Sequence, residues 1–246
     1  MQTNSDSVPS SERVASGPFP ESAPGSVSSP ESIRQNDWEA FCGVDTMEDH
    51  WSRSVWAAGQ ETYFWYLTFD NPELSRAAEQ CQLELGAVGL DHVPSDGLHL
   101  TLSKIGNADR VRTDQIGAIV EAARNELALI KPFDLSVGPL AGSRGAIRFS
   151  VSPWSEILDI HRAATSATLD VIPDLRIADT KSFRPHIGIA YSNRRQTAKP
   201  LISSVSRLRD LTPIDVRVES VEIVRLRRES NAYRWTNVES FQLGSS

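Results

Sequence analysis

Apolar and polar positions alternate with a period of two in some stretches of this chain and with a helical period in others. The densest strand pattern is Tyr63-Phe64-Trp65-Tyr66-Leu67-Thr68-Phe69, which is rich in aromatic and β-prone residues. Asn71-Pro72 then supplies an N-cap and a first-turn proline. Ala77, Ala78, Cys81 and Leu85 make the inner stripe of a helix over 72–85, which Gly86 and Gly89 stop. Next, Leu98, Leu100 and Leu102 alternate with His99 and Thr101. The longest helical stripe starts at Thr113, runs through Ile116, Ile119, Val120, Ala123, Leu127 and Ile130, and ends at Lys131-Pro132. Strands over 133–137 and 146–151 flank a hairpin loop, Gly142-Ser143-Arg144-Gly145. A helix after Ser152-Pro153 carries Trp154, Ile157, Leu158 and His161 on one side. Pro185 holds Arg184 extended at the entry to a strand over 186–189. A helix over 200–209, strands over 214–218 and 220–226, and Tyr233-Arg234-Trp235 at the edge of the sheet complete the pattern.

Helices and hairpin-linked strands mixed in this way predict an α+β fold rather than a doubly wound parallel sheet. Trp38, Phe41, Trp51, Val55 and Trp56 predict one or two short helices between residues 37 and 60. Residues 1–36, rich in Ser, Pro, Gly and Glu, bury too little to offset their ordering entropy and read as a disordered tail. The reading is therefore one domain over 37–240 with a short tail over 241–246.

Composition narrows the class. The chain has 246 residues, 39% of them hydrophobic and 23% charged, as in an ordinary soluble protein with a sizeable core. No apolar run approaches the ~18 residues of a membrane span, and the N-terminus lacks the basic and apolar regions of a signal peptide. Two cysteines, Cys42 and Cys81, have no metal-ligand spacing and make no disulfide framework, which fits a reducing cytoplasm. The net charge of −7 argues against broad nucleic-acid binding but leaves room for a local basic cleft that takes one phosphate.

The candidate chemistry lies in two echoing strands. His99 and Thr101 share one face of the first strand. In the second, Pro185-His186-Ile187-Gly188-Ile189, His186 is flanked by apolar residues on the opposite face and Gly188 stands where Thr101 stood. Two imidazoles facing one pocket can divide proton transfer, one taking a proton from an attacking oxygen and the other giving one to a leaving oxygen. Phosphoryl chemistry also needs donors aimed at the non-bridging oxygens, and Thr101 is placed to be one. The competing reading makes both histidines satisfied core residues of unrelated strands. His161 reads as a buried or edge histidine and His50 as a solvated one.

His99-Leu100-Thr101-Leu102 resembles the first motif of the two-histidine phosphoesterases, which include the bacterial 2′-5′ RNA ligase-like proteins and RNA-processing cyclic phosphodiesterases. Arg184-Pro185-His186-Ile187-Gly188-Ile189-Ala190-Tyr191 resembles their second motif. The resemblance spans about residues 61–235. It implies a bilobal, pseudo-two-fold α+β fold, with antiparallel sheets lining a central cleft and helices outside. It also implies metal-independent cleavage of a 2′,3′-cyclic phosphate or 2′-5′ linkage on a nucleotide or RNA end, or the reverse joining; the chain itself is expected to be a monomer without a cofactor. His99 and His186 would be the acid–base pair, in either assignment, and Thr101 would hold a phosphate oxygen.

Gly188 departs from the family, which usually has Ser or Thr there. A water, a backbone amide near Gly188 or the Tyr191 hydroxyl is left to fill that place, although Tyr191 lies on the opposite face of a regular strand. Lys104, Arg184, Arg194 and Arg195 are further candidate phosphate contacts without a motif behind them. The same departure supports an alternative, a nucleotide- or RNA-end-binding module with weakened catalysis. An interaction protein working through its tail is a third reading.

Overall fold

The computed structural model describes residues 17–52 and 56–245. In chain order the helices are α1 (Pro30–Cys42), α2 (Pro72–Leu85), α3 (Thr113–Ala128), α4 (Ser155–Val171) and α5 (Lys199–Arg207). The strands are β1 (Thr46–Met47), β2 (Glu61–Thr68), β3 (Leu90–His92), β4 (His99–Asn107), β5 (Phe133–Gly142), β6 (Ala146–Ser152), β7 (His186–Ser192), β8 (Gln196–Thr197), β9 (Ile214–Val218), β10 (Ser220–Glu229) and β11 (Ala232–Gln242).

The strands form a four-stranded sheet ordered β11-β10-β2-β4, a five-stranded sheet ordered β3-β7-β6-β5-β9, and a small β1-β8 pair. Neighbouring strands are antiparallel throughout. Helices α3 and α4 pack on each other and against the four-stranded sheet, while α2 and α5 pack against the five-stranded one. Strands β4 and β7, which carry the two histidines, approach each other directly across the sheets. This is the expected α+β arrangement of two sheets around a cleft, with helices outside.

Asn71 caps α2 as its sequence predicts, its side chain accepting from the backbone N–H groups of Glu73 and Leu74. The predicted stripe of α3 is buried at Ile116, Ile119, Val120, Ala123 and Leu127. Trp65 of β2 is fully buried and donates its indole N–H to Thr168 Oγ1 of α4 at 2.9 Å, fixing that helix across the sheet.

Two expectations about the ends are corrected. Residues 1–16 lie outside the described residues, but 17–36 do not behave as a tail. Ser29 caps α1, whose Ile33, Asp37 and Phe41 are buried, and α1 packs on β5 and β6. The stripe is short, and one of its members is an aspartate, so a composition-based reading misses it. At the other end β11 runs to Gln242, and Phe241 and Leu243 are buried, the former against Trp65 at 5.2 Å between ring centroids. The core therefore extends past residue 240. The predicted Val55 contribution falls outside the described residues.

Candidate active site

His99 opens β4 and His186 opens β7, and both line one cleft of about 710 Å³, a volume that suits a nucleotide-sized ligand. The two rings are held alike. His99 Nδ1 lies 2.8 Å from the carbonyl oxygen of Gly97, and His186 Nδ1 lies 2.8 Å from that of Arg184. A carbonyl can only accept, so Nδ1 carries the proton in each ring and Nε2 keeps its lone pair. The Gly97 carbonyl is itself steadied, because Arg234 of β11 grips Asp96 with contacts of 2.7 and 2.8 Å.

The strands are also irregular in the same way. Thr101 pairs with Tyr66 and Ser103 with Trp65, so Leu102 is an extra residue in β4. Gly188 pairs with Arg148 and Ala190 with Ile147, so Ile189 is an extra residue in β7. Each bulge sits three places after its histidine and inverts the alternation beyond it. Lys104 and Tyr191, both five residues after a histidine, are thereby turned to the side of the cleft, which both line. A regular strand predicts the opposite for Tyr191, and the bulge at Ile189 is the reason it differs.

Tyr66 stacks on His99, with centroids 4.3 Å apart and planes 10° apart, and Trp235 meets the same ring edge-on at 5.2 Å. Burial pushes the His99 pKa down to about 4, partly opposed by the Gly97 carbonyl. Burial, then the nearby Arg148 charge, pushes that of His186 down to about 3. Among the described titratable groups, His161 is likewise held down to about 4, chiefly by burial; its Nδ1 meets Thr180 Oγ1 at 2.9 Å and its ring stacks on Phe183. These neutral histidines make stability depend on pH. Below about 6.5 the unfolded chain takes up protons that the fold refuses until pH 3–4, so stability is complete above that range and is lost as pH falls through it. We expect a loss of roughly 2 kcal/mol per histidine between pH 7 and pH 5. Urea titrations at the two pH values measure it, and His161→Phe is expected to reduce the slope by about one proton. A flat profile refutes these neutral states.

The second side of the cleft contains a residue that the sequence reading overlooked. Arg148, cross-strand from Gly188, is 2% exposed and lines the cleft. Its guanidinium lies 3.3 Å from Asp37 of α1, donates to the Phe19 carbonyl at 3.1 Å, and sits over the Phe19 ring. Asp37 also accepts from Ser150 Oγ at 2.7 Å. The signal in the sequence is an arginine in the otherwise apolar run Ala146–Val151, a position that burial makes costly without an anion beside it.

The other expected contacts divide. Thr101 and Lys104 line the cleft with the histidines. Arg184 also borders it, but its guanidinium donates to the carbonyls of Pro20, Glu21, Lys181 and Phe183 and so fastens the 17–24 segment to the rim. Arg194 and Arg195 are exposed and do not line the cleft, and Arg194 donates to Gln196. His50, expected on the solvated surface, is half-buried instead. It stacks on Tyr191 at 4.1 Å and reaches the Tyr233 hydroxyl at 3.0 Å.

Comparison with known proteins bears on the family and the fold. A family model described as the 2′-5′ RNA ligase superfamily matches residues 71–230. No curated protein sequence matches the chain. Among solved structures, the TT0787 protein of Thermus thermophilus is similar with a TM-score of 0.57 at 18% identity, over 74% of this chain and 98% of that one. The LigT protein of Escherichia coli, in complex with phosphate, is similar with a TM-score of 0.55 at 14% identity, over 75% and 98%. A protein described as a phosphoesterase gives 0.53 at 15%, over 75% and 98%. The solved structures support the fold, and the family model spans more than half of the sequence including both histidine strands: the chain belongs to the 2′-5′ RNA ligase superfamily of two-histidine phosphoesterases.

Proposed function

We propose that the protein opens 2′,3′-cyclic phosphates, or cleaves 2′-5′ linkages, on nucleotide or RNA ends by acid–base catalysis between His99 and His186. The observation that carries this reading is the matched tethering of the two rings, each with Nδ1 on the carbonyl two residues before it and Nε2 left for the cleft. One Nε2 takes a proton from water as the water oxygen attacks phosphorus. The other, entering the step protonated, gives its proton to the ribose oxygen as the P–O bond breaks. Each histidine ends in the state in which the other began, and exchange with solvent resets them. Thr101 donates to a non-bridging oxygen, and the Lys104 ammonium on the same face adds positive charge. In this reading one chain supplies the whole site, so a monomer suffices.

E. coli LigT has been solved with phosphate, with 3′-AMP and with ATP, ligands of the class proposed here. The test is turnover of 2′,3′-cyclic AMP in EDTA. We expect a single adenosine monophosphate product, with no activity lost to the chelator. The second reading, a binding module, is favoured by the hydroxyl that Gly188 lacks. Saturable binding of 3′-AMP with no turnover of cyclic or 2′-5′-linked substrates would select it.

A further inference from the structure

The second histidine motif of this chain lacks the hydroxyl that the first has in Thr101, yet the place is not left without one. A β-carbon built on Gly188 would meet Tyr191 Cε1 and Tyr191 Oη at 3.6 Å each. The phenol therefore lies over the Gly188 α-carbon, and its oxygen stands in the region that a serine or threonine Oγ at 188 would enter, one bond beyond that β-carbon. Tyr191 is nine-tenths buried and lines the cleft beside His186. Among the described residues its hydroxyl has no hydrogen-bond partner, although its ring is braced by His50 at 4.1 Å, Trp51 at 5.3 Å and Tyr233 at 5.7 Å between centroids. A buried, braced phenol whose O–H is unpaired and turned to a cleft is placed to meet a ligand.

The arrangement is built into the strand. Tyr191 faces the cleft only because Ile189 is an extra residue, and that bulge is anchored: the Ile189 carbonyl accepts from the Val93 backbone N–H at 2.9 Å and from Gln82 Nε2 at 2.8 Å. A β-carbon at 188 would touch the ring at an ordinary distance, whereas a hydroxyl beyond it would enter the place that the phenol oxygen holds.

We infer that Tyr191 replaces the missing motif hydroxyl, donating its O–H to a non-bridging phosphate oxygen on the His186 side as Thr101 does on the His99 side. The inference rests on the proposed phosphodiesterase reading and adds a residue to it. Burial and the neighbouring Tyr233 and Tyr66 phenols keep the Tyr191 hydroxyl protonated, and therefore a donor, at neutral pH.

The test is a double-mutant cycle on 2′,3′-cyclic AMP opening. Tyr191→Phe keeps the ring and its packing, so thermal stability is expected to hold while kcat/KM falls about 10²–10³-fold, as for loss of one oxyanion-type donor. The β-carbon of Gly188→Ser fits, since 3.6 Å is an ordinary contact, but its Oγ would contend with the Tyr191 hydroxyl for one place, so Gly188→Ser alone is expected to give no gain in rate. Gly188→Ser on top of Tyr191→Phe is expected to recover at least about tenfold. The inference is overturned if Tyr191→Phe retains wild-type kcat/KM, or if Gly188→Ser gives the same factor in both backgrounds. Binding of inorganic phosphate, followed by ³¹P NMR on the same four proteins, separates the two layers. A wild type that binds phosphate but turns over no substrate defeats the enzymatic reading. In that case, weaker phosphate binding in Tyr191→Phe that Gly188→Ser restores still supports the contact, and unchanged binding refutes it.

Discussion

His99→Ala and His186→Ala are each expected to lower kcat/KM for a 2′,3′-cyclic nucleotide by about 10²–10⁴-fold, the range for loss of one general acid or base. The double substitution is expected to cost little more than the worse single one, because a proton taken without one given does not complete the step. Neither variant is expected to unfold the protein. Both rings sit neutral in an environment that opposes their charge, so removing either relieves an acid-side cost while forfeiting some packing, most of it at His99 between Tyr66 and Trp235. The pH profile adds a second readout. With both free-enzyme values pushed down to about 4 and about 3, the form with one proton on the pair grows scarcer as pH rises, so kcat/KM should fall toward alkaline pH with a slope approaching one. A bound phosphodiester anion favours the imidazolium, and kcat should therefore fall at a higher pH than kcat/KM. Full turnover in either alanine variant excludes the pair as the proton-transfer machinery.

The histidine motifs could be read in the sequence because their chemistry is local: an imidazole two residues from a hydroxyl, between leucines, marks one strand face. Helices α2 and α3 could be read for a similar reason, as Asn71-Pro72 and the Ile116–Leu127 stripe are complete signals within a few turns. Features that depend on a second strand could not. The bulges at Leu102 and Ile189 exist only relative to β2 and β6, and without them the alternation puts Lys104 and Tyr191 on the wrong faces. Arg148 was visible as an anomaly in β6, but its partner Asp37 lies 111 positions away in α1, a helix that begins inside the Ser- and Pro-rich stretch read as a tail. Helix α1 holds the domain through a few specific contacts. Phe41 occupies the space over Gly142, where a β-carbon would collide with its ring, and Asp37 reaches Arg148 and Ser150.

The cleft is thus completed by residues outside the stretch that the family model matches. Gly17, Pro18 and Phe19 border it, and the two cations beneath them, Arg148 and Arg184, are occupied by carbonyls of the same segment and by Asp37. The N-terminal segment in this way keeps two guanidinium groups ordered beside His186 and limits how many of their N–H groups are left for a ligand.

Asp37→Ala is accordingly expected to lower the unfolding free energy by about 3–5 kcal/mol, because it leaves the Arg148 guanidinium buried without its anion. Asp37 is 1% exposed and Arg148 is 2% exposed, and Arg148 Nε already lacks a hydrogen-bond partner. Burial disfavours the charged form of both groups, raising the Asp37 pKa and lowering that of Arg148, and their mutual attraction only partly offsets it. The pair is therefore costly to break but not in itself a large net gain. Replacing both members, as in Asp37→Leu with Arg148→Met, is expected to recover most of the loss. The exposed Arg112–Asp114 pair supplies the contrast: its contact is shorter, 2.5 Å against 3.3 Å, but its side chains are 68% and 67% exposed, so Asp114→Ala should cost far less than Asp37→Ala. Urea unfolding of the four proteins decides between distance and desolvation as the controlling quantity. An Asp37→Ala loss no larger than that of Asp114→Ala would mean that water reaches the buried pair and that α1 is not what holds Arg148 at the cleft.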